Sequence, residues 1–302
     1  MLVDEALAAL AIDAGGYYVD ATFGRGGHTA RILEALGGEG RVLAIDRDPQ
    51  AIEAGRRRFA DDLRIALVHS AFSQLGAQVP AYGQGEPCRG VLFDLGVSSP
   101  QLDTPERGFS FRADGPLDMR MDPSHGEPVS SWLARASVDE IREVIATLGE
   151  ERFARRVAEA IVAARREKPI ARTTELAAIV SRAVRTREPG KHPATRTFQA
   201  LRMFINDELG ELARGLEAAV DALTVGGRLV VISFHSLEDR VVKQFMKRES
   251  SVDPALASLP VIPESVRPRL KLIGRKARPD ESEVGANPRA RSALLRVAEK
   301  IA

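Results

Sequence analysis

The chain has 302 residues, of which 44% are hydrophobic and 28% charged, with a net charge of +1. That is a globular composition with length for one large or two ordinary domains, and it excludes a fibrous or disordered chain. A single cysteine, Cys88, excludes an internal disulfide and fits a reducing cytoplasm. Asp4, Glu5 and Asp13 break up the N-terminal apolar residues, unlike a signal peptide, and no apolar run approaches the roughly twenty residues of a membrane span. The histidines are scattered and show no zinc spacing with Cys88, so no structural metal is expected.

The first hundred residues alternate strand and helix signals. Tyr17-Tyr18-Val19-Asp20 is a short apolar run that breaks into Gly24-Arg25-Gly26-Gly27-His28-Thr29, and Ile32, Leu33 and Leu36 then follow at helical spacing. Arg41 to Asp46 reads as a second strand ending in an acid, and Pro49 to Phe59 as a helix with proline in its first turn. Arg64 to His69 is a third strand leading to Phe72, and Gly83 to Pro87 is a loop. Val91 to Gly96 is a fourth strand, apolar on both faces as in a buried parallel sheet. Such alternation predicts a doubly wound sheet whose ligands collect at the carboxyl ends of its strands, where Asp20, Asp46, Phe72 and Asp94 all fall.

Gly96 to Pro128 is long, polar and aperiodic, but Phe109, Phe111, Leu117, Met119 and Met121 predict an ordered, packed loop. Ser137-Val138-Asp139-Glu140 is a capping box opening a helix. Further helices are striped by Phe153, Val157 and Ile161, and by Leu176, Ile179, Val180, Ala183 and Val184. Glu188 to Pro193 breaks the run. One long helix is predicted from Phe198 to Leu223, leading through Gly226-Gly227 to a fifth strand, Arg228 to Ser233. Ser236-Leu237-Glu238-Asp239 caps another helix, Arg269–Ile273 and Leu294–Ala298 form a closing antiparallel pair, and Pro279 to Arg291 is an exposed loop. The simplest organisation is an α/β domain in two parts, 1–110 and 206–302, interrupted by a helical substrate-binding domain, 111–205.

A strand, a glycine loop and a helix bring a ligand against bare backbone amides. Two nucleoside cofactors fit the plan. The loop lacks the third glycine of the dinucleotide fingerprint, and Asp20 would repel a pyrophosphate but attract a sulfonium, so S-adenosylmethionine is favoured over a dinucleotide. Asp46, about twenty residues beyond the loop, can accept hydrogen bonds from ribose hydroxyls. Charge is segregated too: residues 151–202 carry a local +8 and residues 267–300 a local +6, which leaves −13 for the rest. That is the footprint of a nucleic-acid binder with an otherwise acidic body, although any one arginine-rich helix face is more simply a solvated surface.

Seven runs carry a resemblance. They are Val19–His28, Phe93–Leu102, Arg107–Arg112, Gly115–Asp122, His192–Arg196, Ile232–Asp239 and Asn287–Ser292. Together, and in order, they resemble the bacterial small-subunit ribosomal RNA cytosine-N4 methyltransferases, the MraW family, nearly end to end. Family members usually carry a histidine-containing segment before the Leu-x-x-Glu-Ala-Leu start, here Leu2 to Leu7, so the chain is read as trimmed or mis-started. The resemblance implies a class I S-adenosylmethionine-dependent methyltransferase fold, Rossmann-like, with a mostly parallel sheet and an inserted helical domain. It implies methylation of the N4 amine of a cytidine (position 1402 in the usual RNA numbering) in the 16S rRNA of the small ribosomal subunit. It also implies cofactor contacts from Gly26, Gly27, His28, Asp46, Phe72, Asp94 and Gln101. The partner is then the subunit rather than a membrane, in the cytoplasm, and a homodimer is compatible with the sequence.

Cytosine N4 is a poor nucleophile, so the protein must align it with the methyl group and accept a hydrogen bond from its N–H. Asp94 stands at the strand end where amino-methyltransferases place an acid or amide and is the catalytic candidate. Holding the methionine amino group, or capping a loop, are its alternatives. Phe72 packs either on adenine or in the core. Ser98, Ser99, Asp118, Arg120, His192, Arg196 and His235 are expected around the target base, with a simple Asp118–Arg120 pair as the alternative for those two; Ser236 reads as a helix N-cap. A same-fold enzyme for DNA or protein amines would usually show Asn/Asp-Pro-Pro-aromatic where Asp94-Leu95-Gly96-Val97 stands. A non-catalytic RNA-binding assembly factor is the reading from another class.

Overall fold

The computed structural model describes residues 1–184, 192–252, 263 and 267–302. Chain contacts divide it into two compact units, residues 1–96 with 209–302, and residues 97–208.

The first unit opens with helix α1 (Val3–Leu10), strand β1 (Tyr17–Asp20), α2 (Gly27–Ala35), β2 (Arg41–Asp46), α3 (Pro49–Arg58), β3 (Ile65–His69), α4 (Leu75–Tyr82) and β4 (Cys88–Asp94). The second unit supplies α5 (Ser99–Asp103), α6 (Val129–Arg135), α7 (Val138–Gly149), α8 (Ala154–Glu167), α9 (Thr173–Ala183) and α10 (Thr195–Ile205). The chain then passes through α11 (Glu208–Ala222) into β5 (Leu223–Ser233), α12 (Ser236–Glu249), β6 (Leu270–Leu272), α13 (Glu281–Ala286) and β7 (Leu294–Lys300).

The seven strands form one sheet in the order β3-β2-β1-β4-β5-β7-β6. β3 to β5 are parallel, and β7 and β6 close the edge antiparallel, with Leu270 opposite Lys300. Alternation along each strand feeds two cores. Val19, Leu43, Val91 and Val231 face α4, α11 and α12, whereas Tyr18, Val42, Leu92 and Val230 face α1 and α2. The order reverses between β1 and β4, so the crevice for a ligand lies over their carboxyl ends. The helical unit has its own core, in which Leu117 and Met119 of the long loop pack with Trp132, Ile145, Ile161, Val180 and Leu201.

Several expectations need correcting. The helical unit begins at Val97, not at 111, because Arg107 donates to the carbonyls of Arg120 and Met121 and accepts the Met119 N–H, tying residues 97–110 to the loop. The helix expected from Phe198 to Leu223 is two helices. Asp207 takes a left-handed φ of 47°, and buried Asn206 turns its amide to the backbone of Met119 and Met121. Leu223 belongs to β5, opposite Cys88. The expected loop at 279–291 holds α13, which Asp280 caps by accepting the Glu283 N–H. The break predicted at Glu188 to Pro193 lies outside the described residues for 188–191.

Candidate active site

The loop after β1 is built by two tight turns. Gly24 and Gly26 have φ of 54° and 70°, and a Cβ on Gly26 would stand 2.7 Å from the Phe23 ring. Glycine is therefore required by conformation and by space. Gly27, the first residue of α2, differs: a Cβ there would meet nothing within 4 Å among the described residues. Its side of the loop is open, at the positive end of a helix whose first amides lack partners.

Asp20 lies under this loop and does not face a ligand. It is 1% exposed, and its carboxylate accepts the Thr29 hydroxyl at 2.6 Å and the Thr22 N–H at 3.2 Å. Burial raises its pKa. The sulfonium-attracting role expected for Asp20 is thus replaced by support of the loop. Asp46 ends β2 with one oxygen accepting the Gly24 N–H at 2.7 Å and the other the Asp48 N–H at 2.8 Å. Burial pushes its pKa up to about 6, against those two donors. Each oxygen keeps a further lone pair for a ligand hydroxyl.

Asp94 ends β4. Its N–H donates to Thr22 Oγ1 at 2.6 Å, and its Oδ2 lies 3.2 Å from Nε2 of buried His28. Its Oδ1 is buried without a hydrogen-bond partner among the described residues, as are both His28 ring nitrogens. The 3.2 Å approach is a close electrostatic contact without hydrogen-bond alignment. Phe72 meets Phe93 edge-on at 5.4 Å, and a Cβ on Gly215 of α11 would come within 2.6 Å of its ring. One side of its half-buried ring thus packs against the core. Gly26, Gly27, His28, Asp46 and Asp94 are gathered at the strand ends. Sequence reasoning missed Thr22 and Thr29, which hold Asp94 and Asp20; the only signal was a hydroxyl residue at each end of the loop.

The other expected residues are placed as follows. Gln101 is buried in the helical unit, its Oε1 accepting the Ser98 N–H at 2.9 Å. Ser98 is the N-cap of α5, and Ser99 is exposed beside it. Asp118 and Arg120 pair at 2.8 Å, and Arg120 also donates to Pro123 O at 2.7 Å, pinning their loop. Arg196 donates to Glu150 O at 2.6 Å, closing the end of α7. His192 stacks on Phe111. His235, rather than Ser236, caps α12: Glu238 turns its carboxylate back to the Phe234 and His235 N–H groups.

The sequence matches the MraW methylase family over residues 1–301. The chain belongs to that family. It is 56% identical over 302 residues to the ribosomal RNA small subunit methyltransferase H of Dechloromonas aromatica (strain RCB), covering 100% of this chain and 97% of that one. It is also 56% identical over 301 residues to the protein of that name from Aromatoleum aromaticum (strain DSM 19018 / LMG 30748 / EbN1), covering 99% and 96%. A solved rRNA methylase from Streptococcus thermophilus aligns over 99% of this chain and 94% of that one, at 14% identity and a TM-score of 0.42.

As a MraW methylase the chain has the Rossmann-like class I methyltransferase fold expected of it, and its cofactor is S-adenosylmethionine. The site residues fit that group. The open side of Gly27, the spare lone pairs of Asp46 and the ring nitrogens of buried His28, unpartnered among the described residues, are what an adenosyl group with a charged amino-acid tail requires. Among the described residues no helix is long and apolar enough to cross a membrane.

Proposed function

We infer that this methylase transfers a methyl group to the exocyclic N4 of a cytidine in the 16S rRNA of the small ribosomal subunit, at position 1402 in the usual RNA numbering. The observation that carries the chemistry is the buried Oδ1 of Asp94, an acceptor at the end of β4 with no partner among the described residues. The relatives' name supports the ribosomal RNA substrate.

When bound, S-adenosylmethionine supplies an electrophilic methyl group. Asp46 holds the ribose through the lone pairs its backbone contacts leave free, and the loop of Gly26, Gly27 and His28 lines the amino-acid end. Asp94 accepts a hydrogen bond from the N4 amine, which localises the nitrogen lone pair and stabilises the positive charge that develops there. No strong base is required, because the attached nitrogen loses its proton readily to water. In the helical unit, Arg152, Arg156, Arg166 and Arg182 enter no ion pair among the described residues, whereas Arg155 is paired with Glu159. The unpaired arginines are the ones available to RNA phosphates.

Labelled methyl transfer to small subunits lacking the modification, followed by nucleoside analysis, tests this reading. N4-methylcytidine is expected. Label in another nucleoside overturns the N4 assignment, and label in none overturns the function.

A further inference from the structure

The helical unit carries an aromatic arrangement that the transfer chemistry does not use. The His192 ring stacks on Phe111 with centroids 4.5 Å apart and planes 30° from parallel. Phe111 in turn meets Phe198 edge-on at 4.9 Å, and Phe198 is 4% exposed in the core. The ring of His192 is therefore supported from below by a column reaching into the unit's core, yet His192 itself is exposed.

Its orientation is also fixed. Nδ1 accepts the Ala194 N–H at 3.2 Å, which puts the ring proton on Nε2. Two torsions are thus set by one hydrogen bond and one stacked neighbour. The hydrogen bond alone serves the turn before α10; the stacked Phe111 is a contact beyond it. A cation stands beside the column: Arg112, next to Phe111, is exposed and enters no ion pair among the described residues.

We propose that His192, backed by Phe111, is a stacking platform for one unpaired nucleobase of the RNA. Proteins that hold single-stranded RNA stack its bases on rigid aromatic or histidine faces beside cations for the phosphates. A flat ring with a fixed tilt suits any base, because every base presents a π face. The platform adds grip and register to the RNA and no sequence choice. This proposal rests on the RNA substrate inferred above.

The test compares the native chain with His192→Ala and His192→Phe, using unmodified small subunits as methyl acceptor. His192→Ala raises KM for subunits roughly tenfold, the order expected for one lost stack. Its kcat and its S-adenosylmethionine affinity stay within about twofold of native. His192→Phe restores KM to within about twofold, since the ring stacks without its nitrogens. An unchanged KM in His192→Ala overturns the proposal, and so does a His192→Phe variant as impaired as His192→Ala. A short unstructured RNA carrying one 2-aminopurine separates this from the function itself. If the native chain methylates no subunits, the function fails, while quenching of the probe by native protein and its loss in His192→Ala still supports the platform. Absence of quenching by native protein overturns it.

Discussion

Nε2 of His28 lies 3.2 Å from Oδ2 of Asp94, while the other oxygen of that carboxylate is buried without a partner among the described residues. The carboxylate is thus held on one side by the glycine loop and left free on the other. If its free oxygen receives the amine N–H, removing the charge should slow the chemical step more than it weakens cofactor binding. Asp94→Asn keeps the size of the side chain, and we expect its single-turnover methyl-transfer rate to fall about a hundredfold. His28→Asn should lose less of this rate, roughly tenfold, because His28 touches the carboxylate and the cofactor's amino-acid end rather than the amine. A native single-turnover rate in Asp94→Asn would remove Asp94 from the chemistry.

Asp46 gives a prediction in pH. Its pKa is raised to about 6 by burial, so the folded chain binds a proton here that the unfolded chain releases at lower pH. Its contribution to stability is therefore most favourable below the unfolded carboxylate value and declines as pH rises to about 6, then levels off. Cofactor binding runs the other way, because a protonated carboxyl accepts ribose hydroxyls poorly. At pH 5 the ionised fraction is about a tenth, and calorimetry should show S-adenosylmethionine bound about tenfold more weakly than at pH 7.5. Asp46→Asn should bind weakly at both values and lose this pH dependence; a variant that keeps the native profile excludes Asp46 as its source.

The two neighbouring glycines should respond differently to alanine. Gly26→Ala forces a positive φ on a Cβ already 2.7 Å from Phe23, and about 2 kcal/mol or more of stability should be lost. The Cβ of Gly27→Ala meets nothing within 4 Å among the described residues. It should melt within a few degrees of native yet bind S-adenosylmethionine at least tenfold more weakly, if the cofactor occupies the open side of the loop. Native cofactor affinity in a folded Gly27→Ala chain would place the cofactor elsewhere.

Asn206 offers a test of the helical unit alone. Its Oδ1 accepts the Met121 N–H and its Nδ2 donates to Met119 O, both at 2.8 Å, and it is 2% exposed. Alanine leaves two buried backbone groups unsatisfied, so Asn206→Ala should lose about 2–3 kcal/mol. The effect should appear in hydrogen exchange across 105–128, where Asn206 holds the loop. Unchanged protection there would mean that the loop is held by its apolar residues only.

These cases show what local sequence can carry. Asp46 and Asp94 were legible because an apolar parallel strand that ends in an acid announces a ligand-side position. The capping box of α7 was legible because its serine and glutamate lie within one turn and satisfy each other. The break at Asn206 was hidden, since the stripe from Phe198 to Leu223 keeps helical period across it. What stops the helix is a side chain recruited by backbone 85 residues away. The cap of α12 was misplaced by one residue because serine is the commoner cap. The structure uses His235 because Glu238, three residues on, can then reach back to it. Phe72 looks the same in sequence whether it packs on adenine or in the core, and its half-buried ring rests on Phe93 and Gly215 while part of it stays accessible.

The arginines of the helical unit should divide by partner. Arg156 and Arg182 flank a groove floored by Ala160, Ala163, Ala164 and Ile179 between α8 and α9, and neither is paired among the described residues. Arg165 instead donates to the carbonyls of Leu133 and Ala136 at the end of α6. If the unpaired pair grips RNA phosphates, Arg156→Gln with Arg182→Gln should leave the melting temperature unchanged. Their removal should weaken binding to unmodified small subunits and flatten its salt dependence by about one in slope per arginine. Arg165→Gln should do the reverse, destabilising the unit by about 1–3 kcal/mol with little change in slope, since it leaves buried carbonyls without a donor. Filter binding across a potassium chloride series reads both, and an unchanged slope in the double variant would assign the groove arginines to the solvated surface.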